Sequence, residues 1–201
     1  MHEIVLESVI EGLVGPEFAV LPDAWPRAEV EALRREAHGG LDEGEFHRAG
    51  IGRGDQREIH SEVRGDLVRW LDPTAASPSA ARWWQWLEEL RTELNRQLFL
   101  SLVETEAHFA VYPAGAFYRR HLDRFRDHNA RTISCLLYLN EAWTTEDGGI
   151  LRLYPPGGGP EVDVVPTGGT VAIFRSDTVE HEVLPARRPR TSLACWLRRR
   201  G

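Results

Sequence analysis

The sequence predicts a mainly β chain with supporting helices, an α+β arrangement in which a jelly roll forms the core and N-terminal α-helices pack on one of its sheets. Three observations lead there. From Glu106 onward the chain breaks into eight short β-rich runs: His108 to Tyr112, Phe117 to Asp123, Thr132 to Leu139, Ile150 to Tyr154, Val162 to Val165, Thr170 to Phe174, Glu180 to Leu184 and Thr191 to Arg198. Their connections include Gly148-Gly149, Pro155-Pro156-Gly157-Gly158-Gly159 and Pro166-Thr167-Gly168-Gly169, none long enough for a crossover helix, so the strands should be antiparallel. Two helical segments precede them, and their apolar faces need a sheet to cover.

The first helix is expected over residues 26–38, with Pro26 in its first turn, Val30, Leu33 and Ala37 on one face, and Gly39-Gly40 as its stop. The second is expected over residues 79–99, started by Ser77-Pro78-Ser79, with Trp84, Leu87, Leu94 and Leu98 on its apolar face. Between them Gly50-Ile51-Gly52-Arg53-Gly54-Asp55-Gln56-Arg57 reads as a mobile loop. It lacks the strand-to-helix context of a dinucleotide fingerprint. The expected organisation is a single domain over residues 1–201, with helical support and the loop of about 50–66 in residues 1–100 and the jelly-roll core in residues 101–201.

A chain of 201 residues can bury a sizeable core without disulfides. Cys135 and Cys195 lie within apolar runs, where reduced thiols are expected unless opposed strands bring them together. No apolar run reaches transmembrane length, and the acidic start Met1-His2-Glu3-Ile4-Val5-Leu6-Glu7 is unlike a signal peptide, so a cytoplasmic protein is expected. All 24 basic residues are arginine, which excludes a lysine Schiff base and a Walker-type phosphate loop. Residues 1–50 carry a net charge of −7 and residues 101–201 of +1. Arginines 119, 120, 124, 126 and 131 crowd one stretch, as a solvated rim or as a surface that steers an acidic partner. Nucleic acid is not required.

His121 and Asp123 stand two apart on an expected strand, so both side chains should leave one face. His181 would arrive from a distant strand, which brings two imidazoles and one carboxylate to one side of a metal. Open positions opposite suit a ferrous iron that must hold a chelating cosubstrate and dioxygen, where a structural zinc site would be closed by four ligands. His108 and His128 are the nearby candidates for a fourth ligand. Arg190 stands nine residues beyond His181, past a proline-flanked stretch that reads as a tight return between two strands. In that register it opposes Val183 and faces the side of His181, about 7 Å along the barrel. A dicarboxylate bound to iron at one end would then meet this guanidinium at the other. The same register turns Ser192, Ala194 and Trp196 inward.

These residues, with Val63-Arg64-Gly65-Asp66, Tyr138-Leu139-Asn140, Gly148-Gly149-Ile150-Leu151-Arg152 and His181-Glu182-Val183-Leu184-Pro185, resemble the iron(II) and 2-oxoglutarate dependent dioxygenases. Within them the likeness is to the prolyl 4-hydroxylases related to the animal oxygen-sensing enzymes, which have a double-stranded β-helix core. It runs from about Val63 to the end and hardly touches the first 60 residues. The resemblance implies that His121, Asp123 and His181 bind Fe(II), that Arg190 and Tyr138 hold the distal carboxylate of 2-oxoglutarate, and that Tyr112 and Tyr118 line the pocket. It implies substrate contacts from Tyr118, Arg131, Trp196, Arg64, Asp66 and Trp70, although Trp70 suits a core position and Asp66 a turn equally well. The implied reaction uses O2 and 2-oxoglutarate, with ascorbate as a candidate reductant, and yields succinate, CO2 and a prolyl residue hydroxylated at C4. Likeness to bacterial members, a lysine-free composition and the lack of an appended signalling domain point to elongation factor Tu as the protein substrate, with a monomeric enzyme expected.

The segment from Tyr112 to His121 is one residue shorter than in the animal enzymes, so animal substrates are not carried over. Two alternatives stand beside this reading. One is a dioxygenase on the same scaffold acting on a small molecule or another side chain; the other is a cupin-like metal-binding sensor module without turnover.

Overall fold

The computed structural model describes residues 3–50, 62–123 and 130–200. Most of the loop expected near residues 50–66, and His128, lie outside the described residues. The helices are α1 (Glu3–Val14), α2 (Arg27–Asp42) and α3 (Pro78–Leu98). The strands are β1 (Phe18–Leu21), β2 (His47–Arg48), β3 (Leu67–Trp70), β4 (Leu102–Tyr112), β5 (Tyr118–His121) and β6 (Arg131–Tyr138), then β7 (Leu151–Tyr154), β8 (Val162–Val164), β9 (Val171–Arg175), β10 (Glu180–Val183) and β11 (Arg190–Arg199). Each of the eight expected runs contains a strand, but the one expected over Phe117 to Asp123 stops at His121, so Asp123 does not share a strand with that histidine. A seven-stranded sheet has the order β1-β9-β6-β11-β4-β3-β2, and a four-stranded sheet the order β5-β10-β7-β8. Adjacent strands pair antiparallel throughout. This is the double-stranded β-helix, widened at the edges of its larger sheet by β1, β2 and β3, none of which the sequence predicts.

Alternation along the strands sorts the side chains into two cores. On the outer face of the larger sheet, Phe109, Ile133, Cys135, Leu137, Ile173, Leu193, Cys195 and Leu197 pack with Leu33 and Ala37 of α2 and Trp83, Leu87, Leu90 and Leu94 of α3. Between the sheets lie Ala110, Tyr112, Tyr138, Leu151, Leu153, Phe174 and Val183. Cys135 and Cys195 are Cα partners across β6 and β11, and both are buried free thiols. The Trp83 indole donates to Cys195 Sγ at 3.1 Å.

α3 starts as its sequence indicates, with the Ser77 hydroxyl accepting from Ala80 N and Pro78 in the first turn. Its buried face adds Ala80, Trp83 and Leu90 to the expected residues. α2 corrects the expectation: it runs through Gly39 and Gly40 to Asp42. A Cβ on Gly40 would come within 2.6 Å of both Arg69 Nη1 and Glu45 Oε2, so this glycine serves close packing. The reversal falls at Gly44, whose φ of +77° suits a residue without Cβ.

The second correction concerns the expected return between His181 and Arg190. β10 pairs with β5 and β7, whereas β11 pairs with β4 and β6, so the two strands belong to different sheets and make no hairpin. Pro185 and Pro189 have no N–H to give to a ladder. The residues between them cross from one sheet to the other, held by Gly115 N to Ala186 O at 2.7 Å and Arg187 N to Asp147 O at 2.7 Å. Arg190 therefore opposes Tyr112 on β4, and the expected pairing with Val183 does not occur.

Candidate metal centre and anion pocket

β5 ends at His121, and Asp123 follows in a bend beyond the strand. His121 and His181 are Cα partners across β5 and β10, with a register shift between His181 and Val183. The imidazoles and the carboxylate converge: His121 Nε2 lies 3.5 Å from Asp123 Oδ1, and His181 Nε2 3.6 Å from Asp123 Oδ2. One ligand atom from each of the three residues lies within 4.8 Å of the others, and they form the one such His, Cys, Asp and Glu group among the described residues.

Both histidines are set to present Nε2. His121 Nδ1 lies 2.7 Å from Arg119 O and His181 Nδ1 lies 3.3 Å from Val179 O, so a proton on Nδ1 goes to a carbonyl and the other nitrogen keeps its lone pair. Burial, reinforced by neighbouring His121, lowers His181 to about 4, which keeps it neutral at pH 7. Burial opposes charge on Asp123, but His181 and His121 hold its carboxyl well below the usual carboxylate range. Two imidazole nitrogens and one carboxylate suit a divalent cation that prefers mixed nitrogen and oxygen ligands. Asp123 Oδ2 also accepts from Ser134 Oγ at 2.6 Å and from Trp196 Nε1 at 2.8 Å.

Arg190 is 2% exposed. Its Nε donates to Gly149 O at 2.9 Å, and its Cζ stands 5.0 Å from the ring centroids of both Tyr112 and Tyr138. No carboxylate pairs with it among the described residues. The Tyr138 hydroxyl is buried and makes no hydrogen bond there. Burial pushes this phenol up to about 12, so it remains a donor. A buried cation without an anion, beside an orphaned donor, is costly unless a ligand supplies the acceptor. The donor set thus fits a carboxylate, and the paired imidazoles and Asp123 fit the metal that would hold its other end.

Gly149 makes room for this guanidinium. It has φ of +63°, and a Cβ there would lie 2.9 Å from Arg190 Cδ. Ser134, which donates to Asp123, belongs to none of the motifs legible in the sequence; its one signal there is parity, as a polar residue on the inward face of β6.

The remaining expected residues form two groups around the metal centre. Tyr118 stacks on His121 with ring centroids 3.6 Å apart, and the Arg64 guanidinium lies 4.3 Å from the Tyr118 ring centroid. Arg64 makes a two-point pair with buried Asp66, at 2.7 and 2.5 Å. This segment is pinned to β5, through Arg119 N to Val63 O at 2.9 Å and Gly65 N to Phe117 O at 3.0 Å. On the other side Trp70, His108 and Trp196 form an aromatic row, with Trp70 to His108 at 4.9 Å and His108 to Trp196 at 5.2 Å. The Arg131 guanidinium lies 3.6 Å from the Trp196 ring centroid, and Trp70 is 46% exposed. His108 faces the space between the sheets but stands outside the metal-ligand group.

A model of the 2OG-Fe(II) oxygenase superfamily matches residues 107–198. The chain is similar to a Pseudomonas putida prolyl-4-hydroxylase of known structure, with 42% identity, a TM-score of 0.88, and coverage of 98% of this chain and 100% of that one. It is 30% identical over 141 residues to human Egl nine homolog 1, covering 67% of this chain and 33% of that protein. The rat homolog is 25% identical over 200 residues, and the chain spans 59% of its length. A prolyl hydroxylase from Trichoplax adhaerens, solved with a hypoxia inducible factor peptide, shares the fold with a TM-score of 0.86 at 23% identity, covering 98% of this chain and 90% of that one.

Proposed function

The chain belongs to the 2OG-Fe(II) oxygenase superfamily, in the prolyl 4-hydroxylase family, and from that premise we propose that it hydroxylates C4 of a prolyl residue in a protein substrate, consuming O2 and 2-oxoglutarate and releasing succinate and CO2. The observation that carries the reading is the pairing of a three-ligand centre with a buried guanidinium that no carboxylate neutralises among the described residues. His121, Asp123 and His181 would hold ferrous iron, which when bound supplies the redox chemistry of dioxygen and the 2-oxo acid. Arg190 would grip the distal carboxylate of 2-oxoglutarate through its guanidinium and Tyr138 would donate to the same group, with Tyr112 closing the pocket beside them. The Tyr118 ring stacks on His121 and the Phe174 ring lies 4.6 Å from that of His181, so both imidazoles are flanked by aromatic rings. Trp70, Trp196, Arg131, Tyr118, Arg64 and Asp66 are the proposed substrate side.

The proposed substrate is elongation factor Tu. Support comes from the full-length similarity to a bacterial prolyl-4-hydroxylase and from the lysine-free composition. The proposed setting is cytoplasmic and the proposed enzyme monomeric, with ascorbate as reductant in the assay. Incubation of the protein with elongation factor Tu, iron(II), 2-oxoglutarate and air should add the mass of one oxygen to a proline peptide, and Asp123→Ala should abolish the gain. Consumption of 2-oxoglutarate with an unmodified factor would remove that substrate and leave the oxygenase. Failure of anaerobic iron(II) and 2-oxoglutarate to produce a visible charge-transfer band would remove the oxygenase itself.

A further inference from the structure

We propose that Ser134 and Trp196 are positioning residues that commit Asp123 to metal binding through one oxygen, Oδ1, with Glu106 and Arg131 as a buttress behind them. The inference rests on the iron-oxygenase reading above. Three residues stand side by side across three strands: Ser134 on β6 is the Cα partner of Trp196 on β11, which is the partner of Glu106 on β4. Ser134 and Trp196 are buried and both donate to Asp123 Oδ2, at 2.6 and 2.8 Å.

A carboxylate oxygen offers two lone-pair directions, and two donors occupy both. With both directions of Oδ2 so used, Oδ1, 3.5 Å from His121 Nε2, is the oxygen that would bind a metal. A chelating carboxylate would take a second coordination position, one that a 2-oxo acid and dioxygen need.

The directions of these bonds follow from proton counting. Ser134 has one hydroxyl proton and spends it on Asp123, so the buried Ser176 Oγ, 2.9 Å away, donates to Ser134. An indole N–H can only donate. The plane of that indole is set from its face by Arg131, 3.6 Å from the ring centroid, and Arg131 Nε is held by Glu106 Oε1 at 2.6 Å. Trp196 thus acts on the metal ligand as well as forming a wall of the site.

The test uses the full apoprotein and Mn(II) alone as probe, with binding read from loss of the aqueous Mn(II) resonance. Ser134→Ala and Trp196→Phe should each weaken Mn(II) on the order of 10- to 100-fold, as loss of a hydrogen-bond partner of a metal ligand does. Ser134→Thr should restore affinity, and Glu106→Gln should weaken it in the same direction as Trp196→Phe. Anaerobic iron(II) with 2-oxoglutarate should show a shifted charge-transfer band in the two weakened variants. Folded variants with wild-type Mn(II) affinity and an unshifted band overturn the proposal. So does a Trp196→Phe protein whose only change is a raised KM for peptide. If one variant does not fold, the other decides. Wild-type protein that fails to take Mn(II) removes the iron reading itself, a result distinct from any difference between variants.

Discussion

The guanidinium of Arg190 stands 5.0 Å from the ring centroid of Tyr138, on the inward face of the larger sheet, and beside it the Tyr138 hydroxyl is buried without a hydrogen bond among the described residues. The two residues meet because Ser192, two positions along β11 from Arg190, is the Cα partner of Tyr138 on β6.

Arg190→Ala should weaken 2-oxoglutarate by about 2–5 kcal/mol while leaving iron affinity near wild type. Tyr138→Phe should cost about 0.5–1.5 kcal/mol of cosubstrate binding. It should also raise the stability of the apoprotein, since an unsatisfied buried hydroxyl is removed. Calorimetry with each ligand separates these effects; an Arg190→Ala protein with undiminished cosubstrate affinity would falsify the anion-pocket assignment.

Gly149→Ala places a Cβ against Arg190 Cδ at a backbone φ of +63°. Strain and crowding together should destabilise the protein by about 1–3 kcal/mol. Cosubstrate affinity should fall with it, because the side chain that must give way is the one that holds the carboxylate. A thermal melt and a 2-oxoglutarate titration of one sample check both halves.

Asp66 is 2% exposed and pairs at two points with Arg64. Burial works against the Arg64 charge, but Asp66 more than offsets it and raises the guanidinium above its ordinary value. Asp66→Asn leaves a buried cation poorly matched, with an expected loss of about 3–5 kcal/mol. Denaturant unfolding should show this without any peptide present, which separates a structural role from a substrate contact.

Burial lowers His108 from 6.5 to about 4. The unfolded chain therefore binds a proton on this residue before the folded chain does. Stability should be intact above the ordinary histidine range, fall as pH drops from about 6.5 to about 4 by up to about 3 kcal/mol, and level off below. His108→Phe should flatten that component of the pH–stability curve, and an unchanged curve would show that His108 is not its source.

The strands of the core were legible because alternation and turn chemistry are local signals, and every run from His108 to Arg198 carried both. His121, Asp123 and His181 were legible for a chemical reason: imidazoles and a carboxylate on β-like segments have few joint uses besides a metal. β1 and β2 were not, since strands of four and two residues acquire their pairing from a sheet edge supplied by distant chain. Gly40 misled because a glycine looks the same in sequence whether it ends a helix or admits Arg69 and Glu45 against it.

The sequence by itself determined which side chains could do the chemistry and the period that turns Arg190, Ser192, Ala194 and Trp196 to one side of a strand. Only the tertiary structure decided that β10 and β11 lie in different sheets, that Arg190 faces Tyr112 and Tyr138, and that Ser134 and Trp196 share one oxygen of Asp123. The physical reason is range: side-chain parity is set by neighbouring peptide units, whereas the choice of partner strand is made by burial and hydrogen bonding between segments far apart in the chain.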